Sequence, residues 1–176
     1  MKRVMIIGFS GSGKSTLARR IAELIGCEPT HMDKLHWLPN WTERSNDEEV
    51  ELLSPILKRK KWVIDGNYSK VLFEGRMFLA DTIIFLDFNR FLCFLRIIKR
   101  RIMYNASTRP DMTEGCAEKI DFEFLKWVLS DGRKNRDKYY ENLQMIREQM
   151  PDKKIYILKS PNEVKQFLSE IERNDL

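Results

Sequence analysis

The sequence has no apolar run approaching the ~20 residues that a membrane-spanning helix needs, and it enters its first strand-like run at residue 2, which leaves no room for a cleavable leader. A cytoplasmic protein with no membrane partner is expected. Cysteine occurs only at Cys27, Cys93 and Cys116; the number is odd and no pair has C-x-x-C spacing, so neither a disulfide framework nor a zinc site is indicated. All three read as core residues. The two histidines, His31 and His36, have no Cys or carboxylate cluster at metal-ligand spacing around them, and both read as structural. Internal repeats and low-complexity tracts are absent. No Asn-Lys-x-Asp sequence occurs, which argues against a GTPase switch, and no helix-turn-helix or zinc-module signature for DNA is present.

What remains is a chain of 176 residues with 43% hydrophobic content, long enough for one domain with a sizeable core and too short for two ordinary ones. A single domain over 1–176 is expected. The net charge of +5 favours anionic partners: nucleotides, phosphorylated acceptors or nucleic acid.

The organising stretch is Gly8-Phe9-Ser10-Gly11-Ser12-Gly13-Lys14-Ser15-Thr16, which lies between an apolar run, Val4-Met5-Ile6-Ile7, and a helical pattern at Leu17, Ile21 and Leu24. The order is strand, phosphate loop, helix. The pattern G-x-x-x-x-G-K-[ST] lets backbone N–H groups converge on phosphate oxygens with no side chain in the way. Gly8, Ser10, Gly11, Ser12, Gly13, Lys14, Ser15 and Thr16 are therefore the expected nucleotide-binding residues. Lys14 is suited to the β/γ-phosphate oxygens and Ser15 to Mg²⁺, with the helix N-terminus adding a positive dipole end. The triphosphate is expected to be ATP.

Along the chain, apolar strands are expected at 2–8, 28–33, 62–65, 82–87 and 155–158, with helices at 14–25, from 45, 89–103, 118–130, 132–150 and after Ser160. Ser45-Asn46-Asp47-Glu48 is a capping box, Pro55 is expected to kink or restart the helix it opens, and Lys58-Arg59-Lys60-Lys61 is expected to close it. Phe91, Phe94, Leu95, Ile98 and Ile102 share the side of one helix expected to face the core, while Arg96, Lys99 and Arg100 share another. Residues 104–117 lack periodicity and read as a mobile loop. Apolar strands alternating with helices predict a parallel five-stranded sheet in a three-layer α/β sandwich. In such sheets ligands bind beyond the carboxyl ends of the strands, where the phosphate loop, Asp33, Asp65 and Asp87 all fall.

A phosphate loop, acidic strand ends and an Arg-bearing helix–loop–helix before the last strand resemble the adenylate-kinase-like group of P-loop small-molecule kinases, in which a lid closes its arginines over the transferring phosphate. More narrowly, Asp33-Lys-Leu-His-Trp37, Trp62-Val-Ile-Asp-Gly-Asn-Tyr-Ser69, Ala80-Asp-Thr-Ile-Ile-Phe-Leu-Asp87, Glu118-Lys-Ile-Asp-Phe-Glu-Phe-Leu-Lys-Trp127 and Ser160-Pro-Asn-Glu-Val164 are similar to the bacterial proteins called DNA topology modulation proteins. The resemblance implies a P-loop NTPase fold with a helical lid at about 100–136 between strands four and five. It implies Asp65 near Mg²⁺ and acceptor, and Asp33 where an acceptor hydroxyl is held or deprotonated. Asp65-Gly66 is followed by Asn67-Tyr68, not by the Phe-Pro-Arg that adenylate kinases place there, so one cation for a monophosphate acceptor is missing; Arg76 is an alternative source of it.

The expected activity is ATP- and Mg²⁺-dependent phosphoryl transfer to a small acceptor, nucleoside- or nucleotide-like or another hydroxyl compound. Lys14, Asp33, Asp65 and the lid arginines Arg100, Arg109, Arg133 and Arg136 are the candidate catalytic residues, with Ser15 and Asp65 at the metal. Asp87 reads as a strand terminator. Trp37 and Trp41 are open to two readings, stacking on an acceptor ring or packing in a loop. The rival function is a nucleotide-binding regulator acting on DNA topology, with DNA as a partner; the kinase reading is preferred.

Overall fold

Residues Arg3–Gly8 form a strand (β1) whose side chains alternate between two apolar cores, Met5 and Ile7 on one face and Val4 and Ile6 on the other, all with no exposed surface. Burial on both faces is what a central parallel strand requires, and each such aliphatic side chain contributes roughly 1.5–3 kcal/mol. The computed structural model describes residues 1–104, 111–116, 122–130 and 133–174. Around β1 stand Pro29–His31 (β2), Trp62–Asp65 (β5), Thr82–Leu86 (β6) and Lys154–Leu158 (β7), every pair parallel, in the order β2-β5-β1-β6-β7. A separate two-stranded hairpin pairs Trp37–Leu38 (β3) with Thr42–Glu43 (β4) around a 3-10 turn at Pro39–Trp41.

Helices cover both faces. Lys14–Ile25 (α1) and Pro161–Asn174 (α8) pack through Leu17, Ile21 and Phe167 on the Val4/Ile6 side. Asn46–Leu57 (α3), Phe73–Leu79 (α4) and Arg136–Gln149 (α7) pack through Leu53, Met77 and Leu143 on the other. The chain also forms the short helix Met32–His36 (α2), Arg90–Met103 (α5) and Phe122–Leu129 (α6). The result is the three-layer α/β sandwich with a parallel five-stranded sheet. Among the described residues no helix is long and apolar enough to cross a membrane.

Several local expectations need correction. The second strand stops at His31, and Asp33 lies in the first turn of α2 instead of ending a strand. The capping box at Ser45 and Glu48 forms in full, but α3 runs through Pro55 and ends at Leu57, so the basic run follows the helix. Lys61 instead donates to Ile25 O at 2.8 Å, covering an orphan carbonyl at the end of α1. On α5 the faces are the reverse of the apolar pattern: Cys93 and Ile97 are buried, whereas Phe91, Leu95 and Ile102 are exposed. The phosphate loop sets this choice, because Gly11 (φ 79°) sits so close to the helix that a Cβ there would collide with Cys93 O. Helices after residue 117 begin at Phe122 and Arg136; residues 118–121 and 131–132 lie outside the described residues.

Candidate active site

Parallel register brings the carboxyl ends of the central strands to one level, with Gly8 opposite Leu86, Ile6 opposite Asp65, and Asp65 opposite His31. From Gly8 the chain wraps into the phosphate loop, closed by Ser12 N–H to Phe9 O at 3.1 Å and Leu17 N–H to Gly13 O at 3.0 Å. Gly13 (φ 97°) turns the loop into α1, whose first N–H groups have no side-chain cap. Such an N-terminus is built for anions. Lys14 Nζ donates to Phe9 O at 3.2 Å. Burial pushes its pKa below the ordinary lysine value, with Asp33 and Asp65 pulling the other way. A buried cation of this kind gains most from a phosphate partner.

One cavity of about 970 Å³ contains the loop residues 10–16 together with Asp33 and Asp65. Asp65 is buried, and its Oδ1 lies 3.1 Å from His31 Nδ1, while Oδ2 has no hydrogen-bond partner. Tyr68 donates its hydroxyl to Asp33 Oδ1 at 2.7 Å; burial, then Asp33, raise the phenol's pKa, so it remains a donor. Behind these groups runs a brace. Asn67 grips Gly8 in both directions, accepting from its N–H at 3.0 Å and donating to its carbonyl at 2.7 Å. Arg76, with no exposed surface, donates to Gly66 O at 2.9 Å and Tyr68 O at 2.6 Å. Burial pushes its pKa down to about 10, against the pull of Glu49. Arg76 therefore fixes the loop on either side of Asn67, and its guanidinium is spent on backbone instead of facing an acceptor. Gly66 (φ 125°) permits this path, since a Cβ there would lie 2.6 Å from Met32 Cβ.

The opposite wall comes from α5 and the segments after it. Arg100 lines the cavity, and Arg96 donates to Ser12 O at 2.9 Å with its guanidinium 5.1 Å above the Phe88 ring. Arg133 lies 4.1 Å over the Phe9 ring and donates to Phe88 O. Arg136 makes a forked contact with Asp87, at 2.9 Å and 2.6 Å, and Tyr140 adds 2.7 Å. Burial opposes ionisation of Asp87, but these hydrogen bonds win and hold its pKa below the ordinary value. Arg109 lies outside the described residues. Residues 111–116 are fastened to the β3–β4 hairpin, with Thr113 Oγ1 donating to Trp37 O at 2.5 Å and Cys116 Sγ to Leu38 O at 3.2 Å.

The structure thus brings Lys14, Ser15, Asp33, Asp65 and Arg100 into one cavity. Arg133 and Arg136 border a second, smaller pocket around Asp87. His31, Asn67, Tyr68 and Arg96 were not singled out by sequence. Only their place just after strand ends, or on the Arg96–Lys99–Arg100 face, pointed to them.

No protein-family model matches the chain, and no curated protein matches it by sequence. The fold, a parallel five-stranded sheet flanked by helices, is nevertheless shared with solved structures. Two solved structures are similar over almost the whole chain. Shikimate kinase from Acinetobacter baumannii in complex with shikimate is 17% identical, with a TM-score of 0.60 over 99% of this chain and 92% of that one. Shikimate kinase from Bacteroides thetaiotaomicron is 15% identical, with a TM-score of 0.57 over 98% and 97%.

Proposed function

We propose that the chain is an ATP-dependent phosphotransferase that moves the γ-phosphoryl group to a hydroxyl of a small acceptor. The observation that carries this reading is the single cavity in which the phosphate loop meets Asp33 and Asp65. The fold of the two shikimate kinase structures agrees with it.

Phosphoryl transfer needs positioning and neutralisation of spreading charge more than covalent chemistry. Lys14 and the loop N–H groups hold the phosphates in line. The acceptor oxygen bonds to the γ-phosphorus as the bond to the β–γ bridging oxygen breaks and ADP leaves. Asp33, oriented by Tyr68, takes the hydroxyl proton. Arg100 neutralises the transferring group, with Arg109 as a further cation of the lid expected at about 100–136, while Arg133 braces the loop through Phe9 and Arg136 holds Asp87. Mg²⁺ suits the remaining donors: Asp65 Oδ2 is buried without a partner, and Ser15 lines the same cavity. Mg²⁺ is commonly held by one or two carboxylates together with substrate phosphates and water. When bound, Mg²⁺ supplies charge neutralisation on the phosphate oxygens.

The whole chain acts as one domain in the cytoplasm, where ATP is available. The narrower likeness to DNA topology modulation proteins rests on the sequence motifs quoted above. DNA is not favoured as a partner, since one of the four basic residues in the run at 58–61 is committed to capping α1. The decisive test is Lys14→Ala: we expect ATP-dependent transfer to fall by at least about 10²–10³-fold with an unchanged melting temperature. Undiminished ADP release by the folded variant would overturn the assignment.

A further inference from the structure

The cavity draws its charges from different parts of the chain. Its cations come with three helices: Lys14, Arg19 and Arg20 with α1, Arg96 and Arg100 with α5, and Lys165 with α8. The segment from β2 to α4, residues 29–79, contributes Asp33, Trp37, Trp41, Asp65 and Gly66 among the described residues, and no cation. Three of its basic side chains are spent elsewhere. Arg76 is buried on the Gly66 and Tyr68 carbonyls, Arg44 Nε donates to Leu35 O at 2.8 Å, and Lys61 donates to Ile25 O. His36 is turned away toward Glu49, 2.8 Å from its Oε1.

The indoles belong to a built aromatic wall. Trp37 and Trp41 meet edge to face at 5.2 Å, His36 lies 4.7 Å from Trp37, and Tyr68 lies 4.7 Å from His36. Tyr68 occupies Asp33 Oδ1, and the hydrogen bonds of the described residues leave Oδ2 for a ligand. An acceptor that carries its own negative charge would be drawn out of water beside the Asp33 carboxylate, which like-charge repulsion opposes. A ring bearing hydroxyls meets the opposite situation: its C–H face lies on an indole and its O–H groups donate to acceptor-only carboxylate oxygens.

We propose that the acceptor is an uncharged, ring-bearing polyol, a sugar or a nucleoside, and that Asp33 excludes carboxylate- and phosphate-bearing acceptors. The inference rests on the kinase reading of the same site. Shikimate, which carries a carboxylate, belongs to the class this wall rejects.

Matched pairs test it by binding alone, without ATP: adenosine against adenosine 5′-monophosphate, glucose against glucose 6-phosphate, and methyl shikimate against shikimate, by calorimetry on the full chain. We expect the neutral member of at least one pair to bind at least about 10-fold more tightly than its anion, with the gap narrowing in Asp33→Asn. Trp37→Ala should weaken the neutral ligand about 10-fold while Trp37→Phe retains it. An anion that binds as tightly as its neutral partner in every pair, or no binding by any member, overturns the inference. ADP formation separates the two readings. Turnover with an anionic acceptor refutes the polyol inference and keeps the kinase, whereas neutral-selective binding with no ADP formed in the presence of ATP refutes the kinase and keeps the selectivity.

Discussion

The two walls of the cavity are secured in different ways. The wall from residues 29–79 is held from behind by buried polar contacts: Arg76 on two carbonyls, Asn67 on both backbone groups of Gly8, and His31 on Asp65. The wall from α5 onward combines hydrogen bonds with cations laid on aromatic rings and one ion pair: Arg133 over Phe9 and on Phe88 O, Arg96 over Phe88 and on Ser12 O, and the 44% exposed Arg136 on buried Asp87. Breaking a buried hydrogen bond strands its partner at about 1–3 kcal/mol, whereas an exposed ion pair or cation–π contact contributes about 0.2–1 kcal/mol. We therefore expect the first wall, whose Arg76 has no exposed surface, to suffer more from loss of its brace than the second, whose Arg136 is half-exposed.

The largest effect that tests this division is chemical. Asp33→Asn keeps the Tyr68 contact available but removes the base, and we expect kcat to fall roughly 10²–10⁴-fold while KM for ATP stays nearly constant. Near-normal kcat would move the proton acceptor elsewhere. The next effect is structural. Arg76→Met leaves Gly66 O and Tyr68 O without donors, and we expect a loss of about 2–4 kcal/mol in urea unfolding together with weaker ATP binding as Asn67 loosens from Gly8. A variant of unchanged stability would show that the first wall does not depend on its buried arginine.

Against these, the second wall should respond weakly. Arg136→Met removes the hydrogen bonds that hold the Asp87 carboxyl below its ordinary range. A depressed carboxylate pKa stabilises the folded state above the unfolded value, and that contribution disappears as pH falls through the folded value. Because the Arg136 side chain is 44% exposed, the loss should be no more than about 1 kcal/mol at neutral pH and should shrink in acid, as pH falls through the lowered Asp87 value. Unfolding curves of both proteins at neutral and acid pH check the sign. A loss that persisted in acid would place the role of Arg136 in packing.

What was legible in the sequence follows the same division. The phosphate loop is contiguous and each residue type has a local reason, and strands buried on both faces announce themselves by unbroken apolar runs. Asp33 was legible as a site residue, but the turn from β2 into a five-residue helix was not, because so short an element has no period to read. Arg76 was read only as an alternative cation for a monophosphate acceptor, because nothing local shows that it is buried on the Gly66 and Tyr68 carbonyls. The Asn67–Gly8 contact spans 59 residues and carries no local signature. The reversed faces of α5 show a further limit, since periodicity finds an apolar side but not which neighbour claims the helix, and here the glycine loop claims the side with Cys93 and Ile97.

The smallest expected effect concerns a run that does not line the cavity, Lys58-Arg59-Lys60-Lys61. If the basic balance of the chain serves the nucleotide, this run has no part in catalysis. Lys61 caps α1 through Ile25 O, an interaction of about 0.3–1 kcal/mol, so it should be left intact in the test. Changing Lys58, Arg59 and Lys60 together to Gln should leave transfer rates and melting temperature unchanged, and the wild-type chain should bind duplex DNA only weakly at physiological salt. A DNA-binding surface behaves otherwise, because each neutralised backbone phosphate steepens the fall of log affinity with log salt by about one unit. Tight binding at physiological ionic strength, with a salt slope that drops by about three in the triple variant, would make the run a phosphate-contacting surface. DNA would then become the partner that the charge serves, and the cavity a nucleotide switch for that surface.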